Sequence, residues 1–278
     1  MNLKKLQNID KRILYIILAI VIATPLFVRP SKHPDSVFDE VRNAFNTIDN
    51  MPDDKVAFVS IVWGPGTIAE NRPQTEVLMR HMFLRHKKFV VLSWDMPGTK
   101  LTYDVGKQLE EELGMEYGKD WCHLGYRPAY IAMIARAMGE DFQKQFSEDY
   151  NNKPLKDMPL PSKIKSAKDI GVVIDITPSA TMGTWLAYFC GPYNIPFIDC
   201  PTAVMSAEAY PYLDSGQVSG MLNGVIGSSM YETLIGRENE RTEAAATAWS
   251  LSCAHIYIIL LIVLGNIGYI AAGKKAKR

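Results

Sequence analysis

The sequence predicts a doubly wound, mostly parallel, five-stranded α/β domain flanked by two transmembrane helices. Three observations carry that expectation. Both ends hold long uncharged apolar stretches beside clusters of Lys and Arg. Between them, short apolar runs alternate with amphipathic stretches. The chain has 278 residues, 47% of them hydrophobic, which is enough to bury a substantial core. Its 30 Lys+Arg against 30 Asp+Glu exclude a nucleic-acid binder that works through overall positive charge.

The first element runs from Ile13 to Val28 without a charge, after Lys4, Lys5, Lys11 and Arg12. Its length gives roughly 24 Å of helix against a hydrocarbon core of ~30 Å, a gap that local thinning or snorkelling flanks close. A cleaved signal peptide shares the basic start, but no A-x-A-like site follows the apolar run. A retained anchor over residues 13–30 is therefore expected. The last element, Leu251 to Ala272, is uncharged, carries Trp249 and Tyr269 near its ends and leads into GKKAKR. That is the pattern of a spanning helix with interfacial aromatics. The charged run before it, RENERTE, is helix-prone, so residues 241–273 are expected to form a stiff stalk and the second span.

Basic tails at 1–12 and 274–278 leave the middle of the chain acidic. Positive-inside logic puts both termini in the cytoplasm and residues 31–240 outside, as the periplasmic domain of an inner-membrane protein. Arg29, Lys32, Arg237 and Arg241 reduce that asymmetry. Ala19 and Ala23 in the first span, and Gly265 and Gly268 in the second, let helix backbones approach and form candidate interfaces. Asn266 reads as a helix-to-helix hydrogen bond.

Within the domain, an amphipathic stretch carries Val37, Val41, Phe45 and Ile48 on one face. Strands follow at Val56–Trp63, Phe89–Trp94, Asp120–Gly125, Ile170–Ile176 and Ile195–Asp199, separated by helices around Val77–Phe83, Thr102–Gly114, Ala129–Met138 and Met182–Phe189. Short, continuously apolar strands between helices imply a sheet covered on both faces. Right-handed crossovers then give a flavodoxin/Rossmann-like architecture, with a flavodoxin-like strand order expected. Residues 140–168 are polar and proline-rich and read as an irregular excursion. Cys190 and Cys200 fall at opposite ends of the fifth strand, roughly 17 Å apart, so no disulfide is expected in the domain.

Ligands of open parallel sheets bind beyond the carboxyl ends of the strands. Those ends offer Gly64, Gly66 and Thr67, whose backbone could face an anion. Tyr126 and Arg127, with Ser179 and Thr181, could hold a carboxylate or phosphate. Asp95, Asp175 and Asp199 are the candidate acids, the last two as a carboxylate pair. His81 and His86, beside Arg80, Arg85, Lys87 and Lys88, read as a solvated basic face, and His123 as a packed imidazole. There is no G-x-S-x-G elbow, P-loop or metal-ligand spacing. No cofactor is therefore expected, and no catalytic residue is assigned. Gly216, Gly220, Gly224 and Gly227 recur as a stripe that, if helical, lets another backbone come close. Tyr210, Pro211 and Tyr212 could form a lid or a protein-contact patch.

The first functional expectation is a non-catalytic membrane-anchored subunit whose outer domain builds or decorates an oligomeric assembly. Its partners would be lipid, further copies of itself or integral membrane subunits. The alternative is a membrane-tethered domain that binds a small anion; a carboxylate-dependent hydrolase or transferase comes third.

Overall fold

The computed structural model describes residues 9–128 and 130–276. Lys4, Lys5, Lys277 and Arg278, assigned above to basic tails, and Ala129, assigned to a helix start, lie outside the described residues. The chain divides into two compact units, one spanning His33–Glu238 and the other joining the two chain ends.

The end unit contains α1 (Lys11–Val28) and, at the far end of the chain, a single 34-residue helix (Glu243–Ala276). Both are long and apolar enough to cross a membrane. They pack as an antiparallel pair. Ser250 Oγ donates to Ile22 O (2.8 Å), and Tyr257 OH donates to Leu14 O (3.0 Å). Asn266 does not bridge the helices as expected. Its amide donates to Ile262 O of its own helix (2.8 Å), the partner every helix supplies one turn back. Gly268 is buried, whereas a Cβ on Gly265 would meet open space. Ala19 is exposed and Ala23 half-buried.

The other unit starts with α2 (Asp39–Asp49) and proceeds through β1 (Val56–Ile61), α3 (Ile68–Leu84), β2 (Lys88–Ser93), α4 (Met96–Leu113) and β3 (Trp121–Tyr126). Then come α5 (Ile131–Glu140), α6 (Phe142–Gln145), β4 (Ile170–Thr177) and α7 (Met182–Trp185). A π-helical turn (Leu186–Cys190) joins α7 to α8 (Gly191–Tyr193). The unit closes with β5 (Phe197–Pro201), α9 (Tyr210–Asp214), β6 (Gly220–Met221) and α10 (Gly224–Leu234); the long C-terminal helix is α11.

All the strands are parallel and lie in the order β3-β2-β1-β4-β5-β6. This is the doubly wound order of Rossmann-like sheets. It corrects two expectations: the sheet has six strands rather than five, and its order is not flavodoxin-like. The sixth strand was hidden because it is only two residues long and carries no periodic signal. Its place is fixed by Ser219 N–H to Phe197 O (2.8 Å) and Leu222 N–H to Asp199 O (3.0 Å).

Alternation along the strands sorts the core into two layers. Phe58, Val90, Leu92, Val173 and Phe197 point to one face, packed with Trp185, Phe189 and Met138. Ala57, Val59, Val91, Ile174 and Ile198 point to the other, packed with Val77, Leu78, Met82 and Tyr231. Residues 140–168 are irregular in backbone yet well packed: Phe142, Phe146, Leu155 and Ile164 are fully buried in the first layer.

The glycine stripe is not one helix. Gly216 lies in a turn at φ +75°, Gly220 is in β6, and Gly224 opens α10 at φ +52°. A Cβ on Gly220 would overlap the Ala44 backbone of α2, so this glycine lets a helix of the same chain sit directly on the sheet edge. Overpacking of this kind costs roughly 1–3 kcal/mol. Gly220→Ala is thus expected to lower the melting temperature of the detergent-extracted chain, while Gly66→Ala, in open space, leaves it unchanged. Equal melting of the two variants would contradict the packing argument.

Candidate functional site

Parallel register sets the geometry of the strand ends. Ser60 on β1, Asp175 on β4 and Asp199 on β5 are successive partners across the sheet, so their side chains share one face, with about 4.8 Å between neighbouring strands. Asp175 is 0% and Asp199 4% exposed. Thr181 Oγ1 donates to Asp175 Oδ2 at 2.5 Å. The Oδ1 atoms of both carboxyls are buried without a hydrogen-bond partner.

Burial pushes the Asp175 carboxyl up to about 6, against the opposing pull of Ser60, Thr181 and Trp185. Asp199 is raised well above its ordinary value, first by burial and then by the charge of Asp175, against the pull of the Cys200 backbone N–H and with a smaller rise from Glu208. Two buried acids on neighbouring strands resist ionising together. Groups shifted this way cluster at functional sites.

A cavity of about 410 Å³ opens beyond the ends of β4 and β5, and Asp199 lines it. Ser179, Ala180, Met182 and Gly183 form the β4 side; Pro201, Met205, Glu208 and Tyr212 form the β5 side. Glu208 is exposed, so one carboxyl stands at the rim and another is sunk in the wall. The volume is at the small end of the range for ligand pockets.

The expected anion residues are not gathered here. In the observed strand order, β2 and β1 separate β3 from β4, which keeps Arg127 roughly 14 Å from the β4 end. The Arg127 guanidinium donates to Tyr126 O (3.0 Å) and lies 5.6 Å over the Phe146 ring. Ser179 is on the cavity wall, and Thr181 is tied to Asp175. Gly64 sits against Asp95, where a Cβ would be 2.6 Å from Oδ1. Asp95 itself caps α4, accepting from Gly98 N–H at 2.7 Å. Gly66 is exposed, and the Thr67 hydroxyl is buried without a partner.

Two histidine readings meet different outcomes. His123 is fully buried; its Nδ1 accepts from Gly125 N–H and its Nε2 lies 3.0 Å from Thr102 Oγ1. Burial lowers it to about 3, so it is a neutral packed imidazole. His81 is not on a solvated face. It is 1% exposed, stacked on Phe45 at 4.4 Å and hydrogen-bonded to Tyr231 OH at 2.7 Å. Its neighbour Arg80 is also buried, paired with Glu112 of α4. These basic residues are covered because α3 runs between α4 and α10.

Compared with known proteins, the chain matches no family model, no curated protein and no solved structure.

The pH dependence of stability tests the acid pair. Both carboxyls bind protons more tightly folded than unfolded. Their contribution is full below the ordinary value of 3.8 and is lost as pH rises, through about 6 for Asp175. Asp199→Asn is therefore expected to melt close to wild type near about pH 4 and above it near about pH 7.5. A difference that stays constant across that interval would contradict the assignment.

Proposed function

We propose that this chain is a membrane-anchored binding protein whose α/β domain takes up a small ligand beyond the ends of β4 and β5. The observation that carries the reading is Asp199, a nearly fully buried carboxyl with an unpartnered oxygen, set in the wall of a cavity. A buried acceptor without a donor is costly, and a ligand that supplies the donor offsets that cost. Among the described residues that line the cavity, none forms a nucleophile–base hydrogen bond, which favours binding over catalysis.

The membrane arrangement belongs to the same proposal. Two apolar helices pack antiparallel, and the basic flanks in the sequence favour cytoplasmic termini with the domain outside. The assembly reading draws less support than it did from sequence, because Gly220 is filled by α2 of the same chain.

Gly183 lines the cavity and a Cβ on it would meet nothing within 4 Å, so Gly183→Trp adds an indole at the cavity wall without a clash at its first atom. In a thermal-shift screen of the detergent-extracted full chain against small metabolites, at least one compound is expected to raise the melting temperature. Saturation at a hundredfold over Kd corresponds to about 2.7 kcal/mol. Gly183→Trp should remove that shift while melting normally without ligand. A broad screen with no shift, or a shift that survives the plug, would refute the reading. Protease added outside spheroplasts should digest the domain; protection there would refute the orientation.

A further inference from the structure

We propose that the ligand of this cavity is a small organic cation carrying a primary or secondary ammonium group, whose N–H donates to the Asp199 carboxylate. The inference rests on the binding reading above and names the chemistry of the ligand.

Charge comes first. The lining contributes two carboxyl groups, Asp199 and Glu208, and no Lys, Arg or His. Asp175 stands immediately behind as the register partner of Asp199. An anion entering this space would meet three acids and no counter-charge, so the carboxylate or phosphate expected at these strand ends is electrostatically disfavoured.

Hydrogen bonding narrows the choice. Asp199 Oδ1 is an acceptor without a donor. An ammonium supplies up to three donors, and a charge-assisted bond to a carboxylate is shorter and about twice as strong as a neutral one. A neutral hydroxyl can fill the acceptor but does nothing to stabilise the ionised form of Asp199 that burial disfavours, as an ammonium does.

The remaining walls distinguish an organic cation from a metal ion. Met182, Met205, Pro201 and Tyr212 present thioether, ring and aromatic surface, which suits an alkyl or aromatic body. Among the described residues, no group of three His, Cys, Asp or Glu is arranged to hold a metal ion. Glu208 at the rim adds attraction for an incoming cation.

The test uses the full chain in detergent and matched probes. Ethanolamine, putrescine and tyramine are titrated calorimetrically beside their neutral hydroxyl analogues, ethylene glycol, 1,4-butanediol and tyrosol. At least one amine is expected to bind, about tenfold or more tighter than its neutral analogue. Asp199→Asn should weaken that amine by about tenfold or more and narrow its advantage over the alcohol. Gly183→Trp should abolish binding. The inference is overturned if no amine binds, if an alcohol binds as tightly as its amine, or if Asp199→Asn leaves amine affinity unchanged. Failure of this inference differs from failure of the binding reading: a neutral or anionic compound whose binding Gly183→Trp abolishes would sink the cation and leave the pocket standing.

Discussion

Asp175 and Asp199 face the same side of a parallel sheet because β4 and β5 are in register at those two residues. That single pairing governs the rest of the site. Shifting one strand by a residue would turn one carboxyl into the opposite layer of the core, among Ile174, Ile198 and Tyr231. In the observed register the two acids face one side of the sheet, the charge of Asp175 raises the Asp199 pKa, and one oxygen of each is left without a donor. Apolar side chains of similar size would cost less at both positions. A buried acid pair beside a cavity is thus a perturbed pair of the kind that clusters at functional sites.

The same register explains why the neighbouring strand ends offer less. The crevice between the loops after β1 and β4 is the usual place for a ligand in this strand order. Here the β1 side of it is occupied by the chain. Gly98 brings the start of α4 against the Trp63 carbonyl, and Gly64 lies on the Asp95 carboxylate. Asp95 is engaged in capping. Free volume lies one strand further along, between the β4 and β5 loops, where small residues such as Ala180 and Gly183 line the wall.

What could be read from sequence follows the reach of each interaction. Strands β1, β2, β4 and β5 were legible because a sheet covered on both faces needs unbroken apolar runs such as VAFVSI and FVVLS. The two apolar end segments were legible for a related reason, since length and lack of charge are local properties. β6 was not, because its identity rests on hydrogen bonds to β5 rather than on its own two residues. Arg80 and His81 were misread as solvated because their partners, Glu112 and Tyr231, lie 32 and 150 residues away. The acid pair was visible as two strand-end carboxyls. Its burial, and the distance of Arg127 from it, depended on strand order, which local patterning does not encode.

The helix over the acids carries one further irregularity that fits a site. After α7 the chain makes a π-helical turn, in which Gly191 N–H donates to Leu186 O five residues back. The wide turn has identifiable causes. Pro192 has no N–H for the regular ladder, and a Cβ on Gly191 would sit 2.6 Å from the Leu186 carbonyl. Such turns recur at functional sites because they realign the side chains of a helix. Here the turn directly follows Trp185, a fully buried indole that helps hold down the Asp175 pKa. The same short helix contributes Met182 and Gly183 to the cavity wall. A uniform α-helix through Pro192 would lose a backbone hydrogen bond and clash with its own preceding turn. The wide turn accommodates the proline while α7 stays seated over the acids, so one local distortion serves both the packing of Trp185 and the shape of the cavity.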